Sequence, residues 1–283
     1  MNQLDIATPE TPAPGGRYAE VIGDPIAQSK SPLIHGFWLD KLGLEGSYRR
    51  CHVRADQLGD YVARRSADPD WRGCNVTVPH KLAVLDHVLD PGGVGDSIGA
   101  ANTLFRSEGG ALHATNTDAA GFFAPIADVD WADKPVVVIG AGGAARAVLF
   151  ALARMGAGPV TILNRNVLKA SALLAAMGLK GKALPLGSRI PPAALLVNAS
   201  SLGMVGQDPL EIDLAPLPAD AMVYDLVYAP LVTDLLAQAE DRGLVTVDGL
   251  EMLVGQAATA FELFFGVEAP RQHDGELRER LMA

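Results

Sequence analysis

The chain has 283 residues, of which 49% are hydrophobic and 20% are charged. This length exceeds the roughly 100–200 residues of one ordinary domain, and the apolar content excludes a chain that is disordered throughout. The 33 Asp and Glu outnumber the 23 Lys and Arg and leave a net charge of −10, which disfavours nucleic acids and anionic membranes as partners.

The chain carries no pattern that is typical of a secreted, membrane-spanning or metal-binding protein. Cys51 and Cys74 lack a metal-ligand spacing and indicate no disulfide framework. The opening residues lack the apolar core of a signal peptide, and glycines and Arg146 interrupt the longest apolar stretch, residues 135–153. We therefore expect a soluble, cytoplasmic protein that holds no metal.

The first part of the chain predicts a mixed α/β domain. Residues 1–16, which are rich in Pro and Gly, predict a flexible tail. The elements that follow are a strand at 18–23, a helix from Ser31 toward Leu42, strands at 46–53 and 73–78, a helix that starts at Pro79, and a hairpin of 101–107 with 111–115. The hairpin gives this sheet at least one antiparallel edge.

After Trp131 the predicted strands and helices alternate regularly. They are a strand at 136–139, a helix at 144–154, a strand at 160–163, a helix at 167–177, strands at 195–198 and 222–226, a helix at 233–241 and a strand at 244–247. This alternation predicts a Rossmann-like, doubly wound parallel-sheet domain over residues 119–249. An apolar helix at 250–265 is expected to return to the first domain (17–118 plus 250–283), with an active-site cleft between the two domains.

A glycine-rich segment after the strand at 136–139 fits the pattern G-x-G-x-x-A. Its residues are Gly140, Ala141, Gly142, Gly143, Ala144 and Ala145. The first glycine permits a tight turn, the second lets a pyrophosphate approach the backbone, and the alanine lets the helix lie close to the sheet. Such a turn also occurs without a ligand, but its flanking strands and helix favour nucleotide binding.

The end of the next strand indicates which nucleotide binds. An NAD site usually carries Asp or Glu there, about 20 residues after the glycines, to hold the ribose 2′-hydroxyl. This strand ends at Asn164 and Arg165 without a carboxylate, and Lys169 follows one helical turn later. Two cations near a helix N-terminus suit a 2′-phosphate, although both could be ordinary solvated residues. NADP is therefore the predicted cofactor.

Lys81 is the candidate for proton transfer. It falls in the first turn of the helix that is predicted to start at Pro79, where the helix dipole destabilises a positive charge. That position favours a lysine that exchanges a proton near neutral pH, while the alternative is a tolerated surface lysine. Asp118 either caps the helix that follows it or pairs with Lys81 and orients its amine.

Short polar side chains lie at the ends of the predicted strands, where they can converge on a polyhydroxylated ligand or merely form turns. They are Asn75, Thr77, Asn102 and Thr117. Ser29 and Ser31 flank a helix start and would bind a carboxylate there, although Ser31 before Pro32 also suits a helix cap. Gln256 is the one amide in an apolar stretch, and it needs a backbone partner from the other domain or a ligand hydroxyl.

An ordered series of motifs resembles the shikimate dehydrogenase family along nearly the whole chain from about Arg17. The motifs are VIGDPIAQSKSPLIH (21–35), GCNVTVPHK (73–81), IGAANT (98–103), TNTDAAG (115–121), GAGGAARA (140–147), NASSLGM (198–204), YDLVY (224–228) and GLEMLVGQAA (249–258). The glycine motif is common to many enzymes, whereas the ordered set is specific.

The resemblance implies an NADP-dependent oxidoreductase of chorismate and aromatic amino acid biosynthesis that reversibly reduces 3-dehydroshikimate at C3. Lys81 and Asp118 would form the catalytic pair, and Ser29 and Ser31 would bind the substrate carboxylate. The residues implied at the ring hydroxyls are Asn75, Thr77, Asn102, Asp118, Tyr228 and Gln256. Those implied at the cofactor are Gly140 to Ala145 at the pyrophosphate, Asn164, Arg165 and Lys169 at the 2′-phosphate, and Leu226 and Gly249 near the nicotinamide.

Among the departures from the family's usual residues, two bear on the cofactor. Asn166 stands where Thr or Ser is usual and Lys169 where Arg is common, so that discrimination of NADP from NAD is expected to be weaker. A quinate or aminoshikimate dehydrogenase that uses NAD or NADP stays an alternative. So does a non-catalytic metabolite sensor, although the retained Lys81 and Asp118 argue against it. The sequence leaves the oligomeric state open, with a homodimer as one option.

Overall fold

The computed structural model of the protein describes residues 16–90, 92–107 and 109–283. They form two compact units, one that reaches Thr117 and includes Ala257–Ala283, and one that comprises Asp118–Gln256. The predicted flexible tail lies outside the described residues, apart from Gly16. No helix in the described part of the chain is long and apolar enough to cross a membrane.

The helices and strands follow one another in a fixed order along the chain. They are β1 Tyr18–Gly23, α1 Ser31–Leu42, β2 Ser47–His52, α2 Leu58–Ala67, β3 Trp71–Val76, α3 Val94–Ser97, β4 Thr103–Arg106, β5 Leu112–Thr115, α4 Asp118–Phe123, β6 Val136–Ile139, α5 Gly143–Arg154, β7 Val160–Asn164, α6 Val167–Ala176, β8 Gly181–Pro185, β9 Leu195–Asn198, β10 Met222–Asp225, α7 Asp234–Asp241, β11 Val245–Val247, α8 Gly249–Phe265 and α9 Asp274–Met282. The predicted strands and hairpin are confirmed, with ends shifted by one or two residues.

The sheet of the first unit has the strand order β2-β1-β3-β4-β5. β1 runs parallel to both of its neighbours, whereas β4 and β5 run antiparallel, as the predicted hairpin requires. Every residue of β1 is buried, which is typical of a central strand that is covered on both faces. Because β1 and β3 are parallel neighbours, their C-terminal ends lie side by side at one edge of this sheet.

The helix that was predicted to start at Pro79 is absent. Residues 78–82 form turns instead, and the His80 ring bonds through Nε2 to the carbonyl oxygen of Val53 at 2.6 Å. This bond fastens the segment to the residue that follows β2, and a short 3-10 helix comes after it in the chain. The prediction that Lys81 lies in the first turn of an α-helix, against its dipole, is therefore wrong.

The sheet of the second unit has the strand order β11-β10-β9-β6-β7-β8, and all its pairs are parallel. This confirms the predicted doubly wound parallel sheet. The chain order reverses between β6 and β9, and such a switch point opens a crevice at the carboxyl ends of the strands. The edge strand β8 was not predicted, because its residues are half-buried or exposed and lack the apolar run of a buried parallel strand.

Two apolar clusters cover the two faces of this second sheet. Val136 and Val138 belong to one cluster, while Val137 and Ile139 belong to the other. This alternation is the period-2 pattern of a strand that is buried on both faces. It gives a rigid base to the glycine-rich turn that follows β6.

A buried ion network lies at the centre of the first sheet. Glu20, on β1, is fully buried. It accepts hydrogen bonds from Arg49 Nε at 2.9 Å, Arg65 Nε at 2.7 Å and the Tyr61 hydroxyl at 2.8 Å. A buried carboxylate is stable only when it is paired and hydrogen-bonded, so these side chains depend on one another.

We expect Glu20→Gln to lower the free energy of unfolding by about 3–5 kcal/mol, because two partly buried guanidinium groups lose their counter-ion. Urea denaturation near neutral pH measures this loss. Glu276→Gln is the control, since Glu276 pairs with Lys41 and Arg280 at the surface, where water screens the charges and the loss should be far smaller. Equal losses in the two variants would contradict the role of the buried network.

Candidate functional site

Ser29 and Ser31 lie at the N-terminus of α1, and both are buried. The backbone N–H of Ser31 donates to Ser29 Oγ at 3.3 Å. Lys30 is the N-cap residue of α1 and Ser31 is its first helical residue, with no side-chain capping bond. The capping role that was considered for Ser31 is therefore wrong, and its hydroxyl is not needed to close the helix.

The amide and hydroxyl side chains of the first unit gather in one buried cluster. Asn75 Nδ2 donates to Thr103 Oγ1 at 3.0 Å, and Asn102 Nδ2 donates to Thr117 Oγ1 at 2.9 Å. Thr103 Oγ1 also lies 3.0 Å from Asn102 Oδ1 and joins the two pairs. Because Asn75 and Thr103 are register partners across β3 and β4, strand pairing itself assembles the cluster.

Thr77 lies just beyond the end of β3 and is half-buried. Its backbone N–H donates to the carbonyl oxygen of Ile22 at 2.9 Å, which holds the segment after β3 against the end of β1. Thr77 therefore follows Asn75 at the same edge of the sheet, where sequence analysis expected both residues.

Tyr48 completes this cluster, although no sequence signal had indicated it. Its hydroxyl donates to Asn75 Oδ1 at 2.6 Å. The Tyr48 ring stacks on the ring of His35, with centroids 3.9 Å apart and an interplanar angle of 2°. A tyrosine in a short strand is most simply interpreted as core, and only the folded arrangement shows that its hydroxyl reaches Asn75.

His35 is fully buried, and neither of its ring nitrogens has a hydrogen-bond partner among the described residues. Burial lowers the pKa of His35 to about 3, because the charged imidazolium would lose its hydration. The ring is therefore neutral at physiological pH. His35 packs against the Tyr48 ring, and it lies on α1 one helical turn after Ser31.

Lys81 is half-buried, and its backbone lies next to the segment that carries Asn102 of the cluster. Its carbonyl oxygen accepts from the N–H of Ala101 at 2.7 Å, and Ala101 precedes Asn102. Lys81 belongs to the first unit and Asp118 to the second. The pairing of these two side chains stays a prediction.

The glycine-rich turn of the second unit has the local geometry that its sequence predicts. Gly140 has a φ of 104°, and a Cβ on it would lie 2.9 Å from the carbonyl oxygen of Ala199. A Cβ on Gly142 would meet no other described atom within 4 Å, so that a ligand can approach its backbone. Ala145 is fully buried against the sheet.

The first turn of α5 leaves its backbone amides available to a ligand. Gly142 is the N-cap residue, and no side chain of the described chain caps this helix start. Ala141 is buried, while Gly143 and Ala144 are half-buried in the first turn. Uncapped N–H groups together with the helix dipole favour a bound anion such as a pyrophosphate.

Arg165 and Lys169 flank the start of α6, and both are exposed. Asn166 is the N-cap, since its side chain accepts from the Lys169 N–H at 3.0 Å, and Asn164 Nδ2 donates to the Asn166 carbonyl oxygen at 2.9 Å. Asn166 thus supplies the same kind of cap as Ser or Thr. Two cations at a helix N-terminus oppose its dipole, and a bound phosphate would offset that cost.

A cavity of about 410 Å³ opens beside the ends of β6 and β7, next to Ile139 and Leu163. Its volume lies within the usual range for small-molecule sites, roughly 300–1,000 Å³. Arg189, which follows the edge strand β8, also lines it. The sequence had not indicated Arg189, because it belongs to no motif and approaches this edge only through the pairing of β8 with β7.

Leu226 and Gly249, which were both expected near a nicotinamide ring, are in direct contact. A Cβ on Gly249 would lie 2.5 Å from the carbonyl oxygens of Leu226 and Val227, so that only glycine permits this approach. Tyr228 lies two residues after Leu226 and is half-buried, and burial raises the pKa of its hydroxyl. The segment after β10 and the start of α8 therefore form one surface.

Asp118 and Gln256 are both buried in the second unit. α4 begins at Asp118, and a Cβ on Gly121 of that helix would lie 2.7 Å from the backbone nitrogen of Gln256. Gln256 Nε2 donates to the carbonyl oxygen of Leu253 at 2.8 Å, within its own helix. The two partners that the sequence suggests for Gln256, a backbone group of the other domain and a ligand hydroxyl, stay predictions.

Comparison with known families identifies three consecutive matches along the chain. Residues 21–104 match the model of the shikimate dehydrogenase substrate binding domain. Residues 124–252 match that of shikimate / quinate 5-dehydrogenase, and residues 249–273 that of the shikimate 5′-dehydrogenase C-terminal domain. Together they cover most of the described chain.

Individual relatives extend this similarity over nearly the full length. Shikimate dehydrogenase (NADP(+)) of Sphingopyxis alaskensis is 65% identical, over 94% of this chain and 97% of its own. The crystal structure of shikimate 5-dehydrogenase from Thermus thermophilus in complex with NADP(H) and shikimate is similar, with a TM-score of 0.82, 37% identity and coverage of 94% of this chain and 99% of that one. Quinate dehydrogenase from Corynebacterium glutamicum, in complex with NAD, has a TM-score of 0.83 at 28% identity, with coverage of 94% and 99%.

The buried His35 predicts a pH dependence of stability. The folded state lowers its pKa to about 3. Between about pH 6.5 and pH 3 the unfolded chain therefore binds a proton at His35 that the folded chain does not bind. The free energy of unfolding consequently decreases as the pH is lowered through this range. Between about pH 7 and pH 5 the wild type should lose about 2 kcal/mol more than His35→Phe.

Urea denaturation at the two pH values measures the difference. His87→Gln, at an exposed position, should lose stability as the wild type does. Identical pH profiles for the wild type and His35→Phe would show that His35 does not carry this dependence.

Proposed function

The chain belongs to the shikimate dehydrogenase family, and from this premise we propose that it reversibly reduces 3-dehydroshikimate to shikimate with NADPH. One observation carries the proposal: the chain combines an uncapped glycine-rich turn for a dinucleotide with a separate buried cluster of amides and hydroxyls. The first suits a pyrophosphate, and the second suits a small ligand with several hydroxyl groups.

We propose that residues 17–118 plus 250–283 bind the substrate and that residues 119–249 bind NADP. The turn from Gly140 to Ala145 would hold the pyrophosphate, since Gly142 leaves its backbone open. Arg165 and Lys169 would hold the 2′-phosphate, with Asn164 beside them, and the cavity next to Leu163 would take the adenosine.

The nicotinamide, when bound, supplies the hydride that reduces the C3 carbonyl. Leu226 and Gly249 would contact the ring. Because Gly249 has no side chain, the backbone at the start of α8 lies directly against the backbone of the segment after β10. A flat ring can then lie against this surface. The residues of the chain have to orient the ring and exclude water from it.

The substrate would be held at its carboxylate and at its hydroxyls by different groups. Ser29 and Ser31, at the start of α1, would donate to the carboxylate with the help of the helix dipole. The groups proposed for the ring hydroxyls are Asn75, Thr77, Asn102, Asp118, Tyr228 and Gln256. This arrangement would fix which carbon of the ring faces the hydride donor.

Lys81 would hold the proton that the C3 oxygen receives as the hydride adds to the carbon, so that the ketone becomes an alcohol. Asp118 would orient the amine and accept a hydrogen bond from a ring hydroxyl. A positioned general acid typically contributes about 10²–10⁴-fold to the rate.

Lys81→Ala is therefore expected to lower kcat by about 10²–10⁴-fold and to change shikimate affinity far less. The absorbance of NADPH follows turnover, and equilibrium binding measures the affinity. Lys134→Ala, on the second unit away from the described cluster, is the matched control and should keep full turnover. A Lys81→Ala protein with near-normal kcat would contradict the proton-transfer role. Asp118→Asn should weaken both turnover and binding.

Arg165→Ala and Lys169→Ala should each raise the KM for NADP, by about tenfold for the loss of one charge-assisted contact, and leave the KM for NAD nearly unchanged. The reason is that NAD lacks the 2′-phosphate. Lys182→Ala, at an exposed position on β8, should change neither value. Equal losses for the two cofactors would place the 2′-phosphate elsewhere.

The related activities are separated by kinetics on purified protein. Specificity constants for shikimate and quinate, each with NADP and with NAD, distinguish a shikimate dehydrogenase from a quinate or aminoshikimate dehydrogenase. Saturable binding of shikimate and NADP without turnover would instead support a metabolite sensor. We also propose a cytoplasmic location and a homodimer, and sedimentation of the purified protein tests the latter.

A further inference from the structure

A buried carboxylate lies at the end of β10, outside the residues that the proposed function uses. Asp225 is fully buried. Burial raises the pKa of its carboxyl group, and the hydrogen bonds that it accepts lower this pKa by a smaller amount. Burial of a carboxyl group is costly unless donors satisfy it. Its donors therefore show what it holds.

The donors of Asp225 come from three separate segments. Asn198 Nδ2, at the end of β9, donates to its Oδ1 at 2.9 Å. The backbone N–H of Val227 donates to the same oxygen at 3.0 Å, and the hydroxyl of Thr233, at the start of α7, donates to Oδ2 at 2.6 Å. One side chain thus ties two strand ends and a helix N-terminus together.

Asn198 extends the network into the loop after β9. Its Oδ1 accepts from the Ser200 hydroxyl at 2.7 Å, and its Nδ2 also donates to the carbonyl oxygen of Leu202 at 3.0 Å. Its backbone carbonyl accepts from the N–H of Leu226 at 3.0 Å. Of the two adjacent N–H groups of Leu226 and Val227, the first donates to the backbone carbonyl of Asn198 and the second to the side chain of Asp225.

The loop after β10 borders the proposed nicotinamide position, and the loop after β9 borders the glycine-rich turn. The loop after β9 begins at Ala199, whose carbonyl oxygen lies against Gly140 of the glycine-rich turn. The loop after β10 contains Leu226, which is in contact with Gly249. The network lies below both loops, and its members need not touch the cofactor.

We propose that Asp225 and Thr233 are positioning residues, which hold the loops after β9 and β10 so that the nicotinamide ring lies at the distance and angle that hydride transfer needs. This inference rests on the proposed function, and it adds residues that contact neither substrate nor cofactor. The bond between Asp225 and Thr233 holds the loop after β10, whereas the phosphates are assigned to the glycine-rich turn and to Arg165 and Lys169, so the loss of this bond should affect hydride transfer more than cofactor affinity.

Thr233→Val tests the proposal, since it keeps the shape of the side chain and removes the donor to Asp225, together with the oxygen that caps α7 by accepting from the Leu236 N–H. We expect kcat to fall by about tenfold or more, because small misplacements of reacting groups cost this much, while the dissociation constant of NADPH changes less than about twofold. The primary isotope effect with NADPH deuterated at the transferred position should rise, because hydride transfer becomes more rate-limiting. Thr233→Ser retains the hydroxyl and should restore wild-type values.

Thr161→Val is the matched control, since Thr161 is a buried threonine on β7 of the same sheet and takes no part in the network. It should leave kcat and the isotope effect unchanged. If Thr233→Val only lowered the melting temperature and kept a wild-type kcat and isotope effect, Thr233 would be merely structural and the proposal would be overturned.

Amide hydrogen exchange separates this proposal from the proposed function. Thr233→Val should accelerate exchange at Leu226 and Val227, which the wild type and Thr161→Val should protect. A wild-type chain that binds NADPH but does not turn over shikimate would contradict the proposed function. In that case unchanged exchange at these amides in Thr233→Val would still overturn the positioning role.

Discussion

The absence of a side chain at Gly140 is the constraint on which the second unit depends. The carbonyl oxygen of Ala199 lies where a Cβ would be, at 2.9 Å, and the φ of 104° belongs to a region that L side chains rarely adopt. This close approach lets the chain turn directly from β6 into α5. The uncapped amides of α5 then face the crevice at the switch point of the sheet, where the order of the strands reverses.

The first unit meets a different requirement, which is to keep many polar groups buried without leaving them unsatisfied. Asn75, Asn102, Thr103 and Thr117 bond to one another, and Tyr48 supplies a further donor. A buried cluster that is satisfied internally holds its side chains in fixed orientations before any ligand arrives. Such preorganisation lowers the ordering cost when a polyhydroxylated substrate binds.

Buried charge is handled differently in the two units. Glu20 is matched by two guanidinium groups and stabilises the centre of the first sheet. Asp225 has no cation among the hydrogen-bond partners that the structure describes and relies on a side-chain amide, a backbone N–H and a hydroxyl. The first arrangement joins strands to a helix within the core, whereas the second joins loops at the carboxyl ends of β9 and β10. That difference in position is why we assign a positioning role only to the second.

The sequence by itself determined the motif residues and every strand except the exposed edge strand β8, because period-2 and apolar patterns, glycine turns and strand-end polar residues are local signals. It was wrong at Pro79, where the bond between His80 and the Val53 carbonyl replaced the expected helix with turns. Only the tertiary structure decided the partners of Tyr48 and Asp225 and brought Arg189 to the cavity beside β6 and β7. Their contacts join segments that are far apart in the chain, and no local pattern records which strand becomes the neighbour of which.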